Sequence, residues 1–165
     1  RPPDRDVIVV SDAGPLIYLG AVGHLELLPA QFNRVLVPED VWNEVVGHGE
    51  ALPGADAVRQ AQWIDVRKVA DDAIGQFTDR LDRGEAAALA LAISLDADLC
   101  LVDDLAARRL GNAIGIPVVG TLGILVQAKQ LGRIPAVRPI LLAMTQMGFR
   151  VSVDLLRAVL SLAGE

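Results

Sequence analysis

Asp12, Glu44, Glu85 and Asp104, with Asp103 beside the last, fall at the ends or edges of segments that are otherwise apolar. Asp12 closes the run VIVVS (7–11), Asp103 and Asp104 follow LCLV (99–102), Glu85 opens GEAAALALAISL (84–95), and Glu44 sits in PEDVWNEVV (38–46). Carboxylates a few ångströms apart in a partly buried site cannot all stay ionised unless a cation compensates them; otherwise pKa values rise and protons are held. Oxygen ligands with no Cys or His beside them suit a hard divalent cation, Mg²⁺ or Mn²⁺. His24 and His48 are too few and too badly spaced for a zinc site.

Each of these residues also has a plainer reading. Either Asp103 or Asp104 can act as an N-cap, its side-chain oxygen accepting a backbone N–H. Glu85 at a helix start gains a few tenths to about 1 kcal/mol from the helix dipole, although that gives no reason for several acids to converge. Helical spacing aligns Val41, Glu44, Val45 and His48, so Glu44 borders an apolar face, whereas Asp40 reads as an ordinary solvated acid. Arg108 and Arg109 are placed to contact substrate phosphates or to pair with the acids; a solvated helix face is the simpler explanation. Thr121, after the last strand-like run, offers a polar contact or, more simply, an N-cap.

The elements that must position these residues alternate along the chain. VIVVS (7–11), RVLVP (34–38), WIDV (63–66), DLCLV (98–102) and IPVVG (116–120) read as strands, with helical patterns in PEDVWNEVV, GEAAALALAISL, DLAARRLGNAI (104–114) and TLGILVQAKQL (121–131). This alternation predicts βαβ units around a mostly parallel sheet with helices on both faces. In such a sheet ligands bind beyond the carboxyl ends of the strands, where Asp12, Asp103 and Asp104 fall. The small residues after Asp12 read as a turn, Pro38 suits a first helical turn, and GADAVRQAQ and DDAIGQFTDRLDR read as helical or loop excursions. After Gly132 only helical patterns remain, PAVRPILLAMTQMG and SVDLLRAVLSLAG, the second with Ser152 as N-cap. That tail is expected to pack on the core or on a partner, giving one domain over 1–165 with its core at about 7–131 and a helical extension at about 132–165.

Of the 165 residues 52% are hydrophobic, enough for a substantial core. No apolar stretch reaches the roughly 18–20 residues of a membrane span, and RPPDRDV lacks the layout of a signal peptide, so a cytoplasmic location is expected. The first residues, RPPDR, carry no functional weight. The single cysteine, Cys100, excludes a disulfide within the chain and reads as a buried, inert thiol. A net charge of −6 argues against a surface that coats nucleic acid, but not against a nuclease whose acidic site works through cations. Aromatics at 4% weigh against recognition of single strands on stacked aromatic platforms.

With Asp12, Glu44, Glu85 and Asp104 in this order, set in SDAGPLIYLG, VPEDVWNEV, GEAAALALA, LCLVDDLAARRLG and IPVVGTLGIL, the chain resembles the PIN-domain family of metal-dependent ribonucleases. The motifs look like those of a branch described as nucleic-acid binding, with relatives among the toxins of toxin–antitoxin pairs. The resemblance implies a three-layer α/β/α sandwich with extra C-terminal helices. It also implies Mg²⁺ or Mn²⁺ held by Asp12, Glu44, Glu85 and Asp104, with Asp103 as rival for the last place. Metal-activated water would then hydrolyse RNA, leaving a 5′-phosphate and a 3′-hydroxyl. A homodimer and, for a toxin, an antitoxin partner are further implications. Ala13 and Gly14 stand where many members carry Ser or Thr, and Ser11 points to the opposite strand face. A catalytically degenerate PIN-like module that binds RNA or a protein is the alternative, and metal binding discriminates the two. An aspartyl-nucleophile phosphatase fits poorly, because Gly14 stands where that chemistry wants a second Asp.

Overall fold

The structure, a computed structural model, describes residues 6–47 and 52–165; RPPDR and His48 lie outside them. All five apolar runs form strands: β1 (Val9–Ser11), β2 (Val35–Pro38), β3 (Ile64–Arg67), β4 (Leu99–Leu101) and β5 (Val118–Val119). They pair in the order β3-β2-β1-β4-β5, and every pairing is parallel. The chain therefore builds β1, β2 and β3 outward in one direction, then returns to place β4 on the other side of β1. The crevice beyond the carboxyl ends of β1 and β4 is the topological switch point, the standard ligand position in an open α/β sheet.

Because successive strand residues face opposite sides, each strand feeds two cores. Val9, Val35, Val37 and Leu101 pack on one side with Leu16, Leu19, Val41, Val58, Ile124 and Leu125. These come from α1 (Ala13–Ala21), α3 (Glu39–Val46), α4 (Ala55–Gln60) and α8 (Thr121–Gln130), with α2 (Leu27–Phe32) beside them. Val10, Leu36 and Cys100 pack on the other side, against α5 (Asp71–Gly75), α6 (Arg83–Ser94) and α7 (Leu105–Ala113). Burial on both faces is why the central strands β1, β2 and β4 are continuous apolar runs, while the edge strand β3 carries Asp65 and Arg67. The result is a helix–sheet–helix sandwich.

The C-terminal helices α9 (Arg138–Gln146) and α10 (Val153–Leu162) join the first of these cores through Ile140, Leu141, Met144 and Val159. Ser152 caps α10 by accepting from the Leu155 N–H at 3.1 Å. Glu165 ties the tail together: its carboxylate accepts from the Val137 N–H at 2.7 Å and the Arg138 N–H at 3.1 Å, and lies 3.2 Å from Lys129. No described helix is long and apolar enough to cross a membrane.

Two local expectations change. The turn expected after Asp12 is the first turn of α1, made of Ala13, Gly14 and Pro15. A first turn tolerates proline because its N–H groups have no intrahelical partner there. Pro38 closes β2 and occupies the N-cap position of α3, one residue earlier than expected.

Helix α6 contributes the longest buried run to the second core, with Ala86, Ala87, Ala88, Leu89 and Ala92 all fully buried. A run of alanines lets the helix lie close to the sheet with little space left over. Ala87→Leu is therefore expected to overpack this layer and cost about 1–3 kcal/mol, read as a lower urea midpoint at unchanged slope.

Candidate active site

Asp12 stands at the N-cap position of α1, immediately beyond β1, with extended backbone (φ −79°, ψ 176°). Its N–H continues the sheet ladder to the Leu101 carbonyl at 2.9 Å, so the backbone is held against β4. The side chain makes no capping hydrogen bond, although Asp is among the preferred caps. The residue is only 7% exposed. Desolvation pushes its carboxyl up to about 8, and the charges of Glu85, Asp82 and Glu44 push in the same direction; the Ala13 N–H offsets part of this.

Gly84, in the first turn of α6, marks where these acids meet. A Cβ added there would lie 2.7 Å from Glu44 Oε2, 3.6 Å from Asp12 Oδ1 and 3.7 Å from Asp82 Oδ1. Three carboxylates from three separate segments thus surround a position kept clear by glycine. Glu44 reaches this point from the exposed side of α3, while Val41 and Val45 on the same helix are buried.

Asp82 and Glu85 form a reciprocal capping box. The Glu85 N–H donates to Asp82 Oδ1 at 2.8 Å, and the Asp82 N–H donates to Glu85 Oε2 at 3.2 Å. Partial burial raises the Glu85 carboxyl to about 7, helped by the charges of Asp82 and Asp104. Arg83 fixes the turn from outside, donating to Asp40 at 2.7 Å and to Asp71 at 2.6 Å. Asp40 is therefore an ion-pair partner and not the freely solvated acid the sequence suggested.

The adjacent Asp103 and Asp104 divide. Asp104 is the N-cap of α7, its Oδ2 accepting from the Ala107 N–H at 3.0 Å, and its charge acts on Glu85. Asp103 turns to α8, where Oδ1 accepts from the Thr121 N–H at 2.6 Å and Oδ2 from the Thr121 hydroxyl at 2.7 Å. Burial raises the Asp103 carboxyl, while the two Thr121 donors and Arg108 work against the rise. Gly14 and Gly120 make room for it, since a Cβ at either would come within 3.0 Å of its carboxylate. Thr121 is not an N-cap: Gly120 holds that position and Thr121 is the first helical residue, its hydroxyl committed to Asp103. Arg108 faces Asp103, and Arg109 is exposed with no ion pair among the described residues.

A family model described as a PIN domain matches residues 8–165. The chain belongs to the PIN-domain family. No curated protein gives a significant match. The PIN match extends through the C-terminal helices, beyond the residues 7–131 that carry the motifs.

PIN domains are nuclease-type folds and typically use divalent metals. In this one the donors that meet near Gly84 are all carboxylate oxygens, which fits a hard cation and not zinc or copper. Asp12, desolvated and surrounded by like charge, supplies the physical demand for such a cation. The acids are gathered but not closed into a shell: among the described residues no three His, Cys, Asp or Glu are arranged to hold a metal ion. Cys100 takes no part, because burial pushes its thiol up to about 12. Sequence reasoning passed over Asp82; its signal was the Asp-x-x-Glu spacing of a capping box ahead of an apolar helix.

Between the ordinary carboxylate range and about pH 8, the folded chain keeps a proton on Asp12 that the unfolded chain has released. Stability must then fall as pH rises through that window, by at most about 1.4 kcal/mol per unit from this one group. Urea unfolding in EDTA at pH 5 and pH 8 measures this. Wild type is expected to lose stability, and Asp12→Asn to show a flatter profile and greater stability than wild type at pH 8. Identical profiles would exclude Asp12 as a buried titrating acid.

Proposed function

We propose that this PIN domain is a metal-dependent endoribonuclease working at the β1/β4 switch point, with Asp12, Glu44, Glu85, Asp104 and Asp82 as its acidic site. The observation that carries the reading is the buried Asp12 carboxylate, pressed by neighbouring acids at the place where an open α/β sheet binds ligands. Mg²⁺ or Mn²⁺ bound there supplies an activated water and neutralises charge at the phosphoryl group.

The chain's own residues supply the rest. Asp12, held by β4 through its backbone, is the fixed anchor of the site. Glu44 closes it from α3, and Gly84 keeps the space between them open. Glu85, raised to about 7 by burial and the neighbouring acids, holds a proton near neutral pH while no cation is bound and gives it up when one is. Asp103 is tied to Thr121 and acts as a positioning residue that fixes α8 against the site. Arg108, facing Asp103, is placed to meet a substrate phosphate. A toxin role with an antitoxin partner and a homodimer belong to this reading as expectations of the family, and a cytoplasmic location is proposed with them.

Two observations favour the non-cleaving module instead. Glu85 and Asp104 already serve as helix caps, and Ala13 and Gly14 offer no hydroxyl beside Asp12.

Calorimetric titration of Mn²⁺, paired with an RNA cleavage assay, separates the two. Saturable binding by wild type, lost in folded Asp12→Asn/Asp104→Asn together with a drop in cleavage of at least the 10–100-fold that even outer-shell changes cause, is expected of a nuclease. No site-dependent binding with or without RNA would select the module.

Gly84→Ala gives an independent check that removes no carboxylate. Its Cβ would displace the flexible end of Glu44, so Mn²⁺ affinity is expected to fall. Helix propensity meanwhile leaves stability unchanged or raises it by up to about 1 kcal/mol, read by urea unfolding.

A further inference from the structure

A cleft of about 490 Å³ opens between α8 and α10 and is lined at one end by Asp103, the neighbour of Asp104 in the acidic site. Its volume lies in the roughly 300–1,000 Å³ range of small-ligand pockets. The floor is apolar, formed by Val119, Leu122, Val126 and Phe149. The Phe149 ring is fixed edge-on against Tyr18, with centroids 4.8 Å apart. The rim is mixed: Arg108, Gln127, Gln130 and Arg150 are joined by the exposed Leu155 and Leu162 of α10.

Gly123, Gln127 and Gln130 recur at i, i+4 and i+7, so one stripe of α8 presents a glycine against which Val119 packs closely, a Cβ there standing 3.0 Å from Val119 Cγ1, followed by two amides. Arg150 forms no ion pair among the described residues. In a chain of net charge −6, two guanidiniums around an amide-lined apolar floor complement an anionic ligand that has hydrogen-bonding edges. A wholly apolar peptide helix laid over Leu155 and Leu162 would also cover the Gln127 and Gln130 amides and leave them without partners, whereas a base satisfies them.

We propose that the α8–α10 cleft holds one unstacked base of a single-stranded RNA beside the acidic site, with Gln127 and Gln130 bonding its edge and Arg108 and Arg150 its flanking phosphates. Unstacked bases are recognised in this way, by packing on apolar or aromatic faces and by hydrogen bonds to their edges. An amide both donates and accepts, so the two glutamines meet different bases unequally and give the cleft a base preference. That the base flanks a bond to be cut rests on the nuclease reading above; that the cleft binds a base does not.

The test is fluorescence anisotropy of labelled oligo(A), oligo(C) and oligo(U) with the full chain carrying Asp12→Asn, so that the RNA stays intact. Gly123→Leu, whose side chain would project over Val119 into the cleft, is expected to weaken binding by about tenfold in a variant shown by urea unfolding to be folded. Gln127→Ala and Gln130→Ala are expected to change the order of preference among the three oligomers, which a purely structural effect would not do. Arg150→Gln is expected to weaken all three alike and to reduce the salt dependence by about one charge.

If all four variants bind the three oligomers as the parent does, the cleft is not a base subsite, and the nuclease reading stands untouched. If Gly123→Leu changes the oligomeric state in sedimentation and leaves RNA binding unchanged, the cleft is a protein interface and the proposal fails. If wild type cleaves no RNA with any divalent metal while the variants still alter base preference, the nuclease reading fails and the base subsite holds.

Discussion

Repulsion among carboxylates that the sheet forces together is the constraint around which this molecule is arranged. Effective penalties for taking one charge out of water run to several kcal/mol, whereas a helix cap contributes about 1 kcal/mol. Asp12 cannot move away to relieve the repulsion, because its N–H is part of the ladder to Leu101 and the next residue begins α1. Asp82 and Glu85 cannot move independently, because each caps the same turn for the other and Arg83 bolts that turn to Asp40 and Asp71. The remaining escape is to neutralise the charge, by a proton or by a cation. Proton retention is the response seen in the raised carboxyls of Asp12 and Glu85. Cation binding is the response that a PIN domain is built to use.

The fold was legible because burial on both sheet faces leaves a coarse signature, short continuous apolar runs separated by helical spacing. VIVVS and DLCLV become β1 and β4, side by side, and that adjacency puts Asp12 and the Asp103–Asp104 pair at one crevice. Helix α1 was obscured because Gly14 and Pro15, ordinarily turn residues, sit in a first turn where their usual penalties do not apply. The acidic cluster was legible in outline for the same reason as the strands: each acid interrupts an apolar segment.

Asp82, and the roles of Asp103 and Asp104, were not legible, and the causes are local. Asp82 stands among other polar residues, so nothing in its neighbourhood contrasts with it; its capping partner Glu85 drew attention instead. Asp103 and Asp104 are neighbours of one type, and what separates them is contact with Thr121, which approaches through the β4–β5 pairing and the start of α8. Thr121 itself was misread because an N-cap and a first helical residue differ by one position, and Gly120 takes the cap where a Cβ would crowd Asp103. Arg83 shows the same limit from the other side, since its partners Asp40 and Asp71 lie on different helices and pair with it only in the folded chain.

An acidic site at the mouth of a sheet has an intrinsic difficulty with a polyanion: the carboxylates needed for chemistry repel the phosphates on which it would act. A bound cation cancels that repulsion over a few ångströms only, because exposed charges are screened beyond about 8–10 Å at ordinary ionic strength. Affinity for a nucleic acid therefore has to be gathered outside the acids, from groups that do not share their sign. On the proposed nuclease reading, Asp103 is the hinge between the two requirements. Its carboxylate is withdrawn from the cluster by Thr121 and faces Arg108, so the charge nearest the α8–α10 cleft is already partly compensated. Beyond it the cleft runs over apolar floor to Arg150. The C-terminal helices are then more than a cover for the first core: α10 supplies one wall of the surface that lies beside the acids without sharing their negative charge.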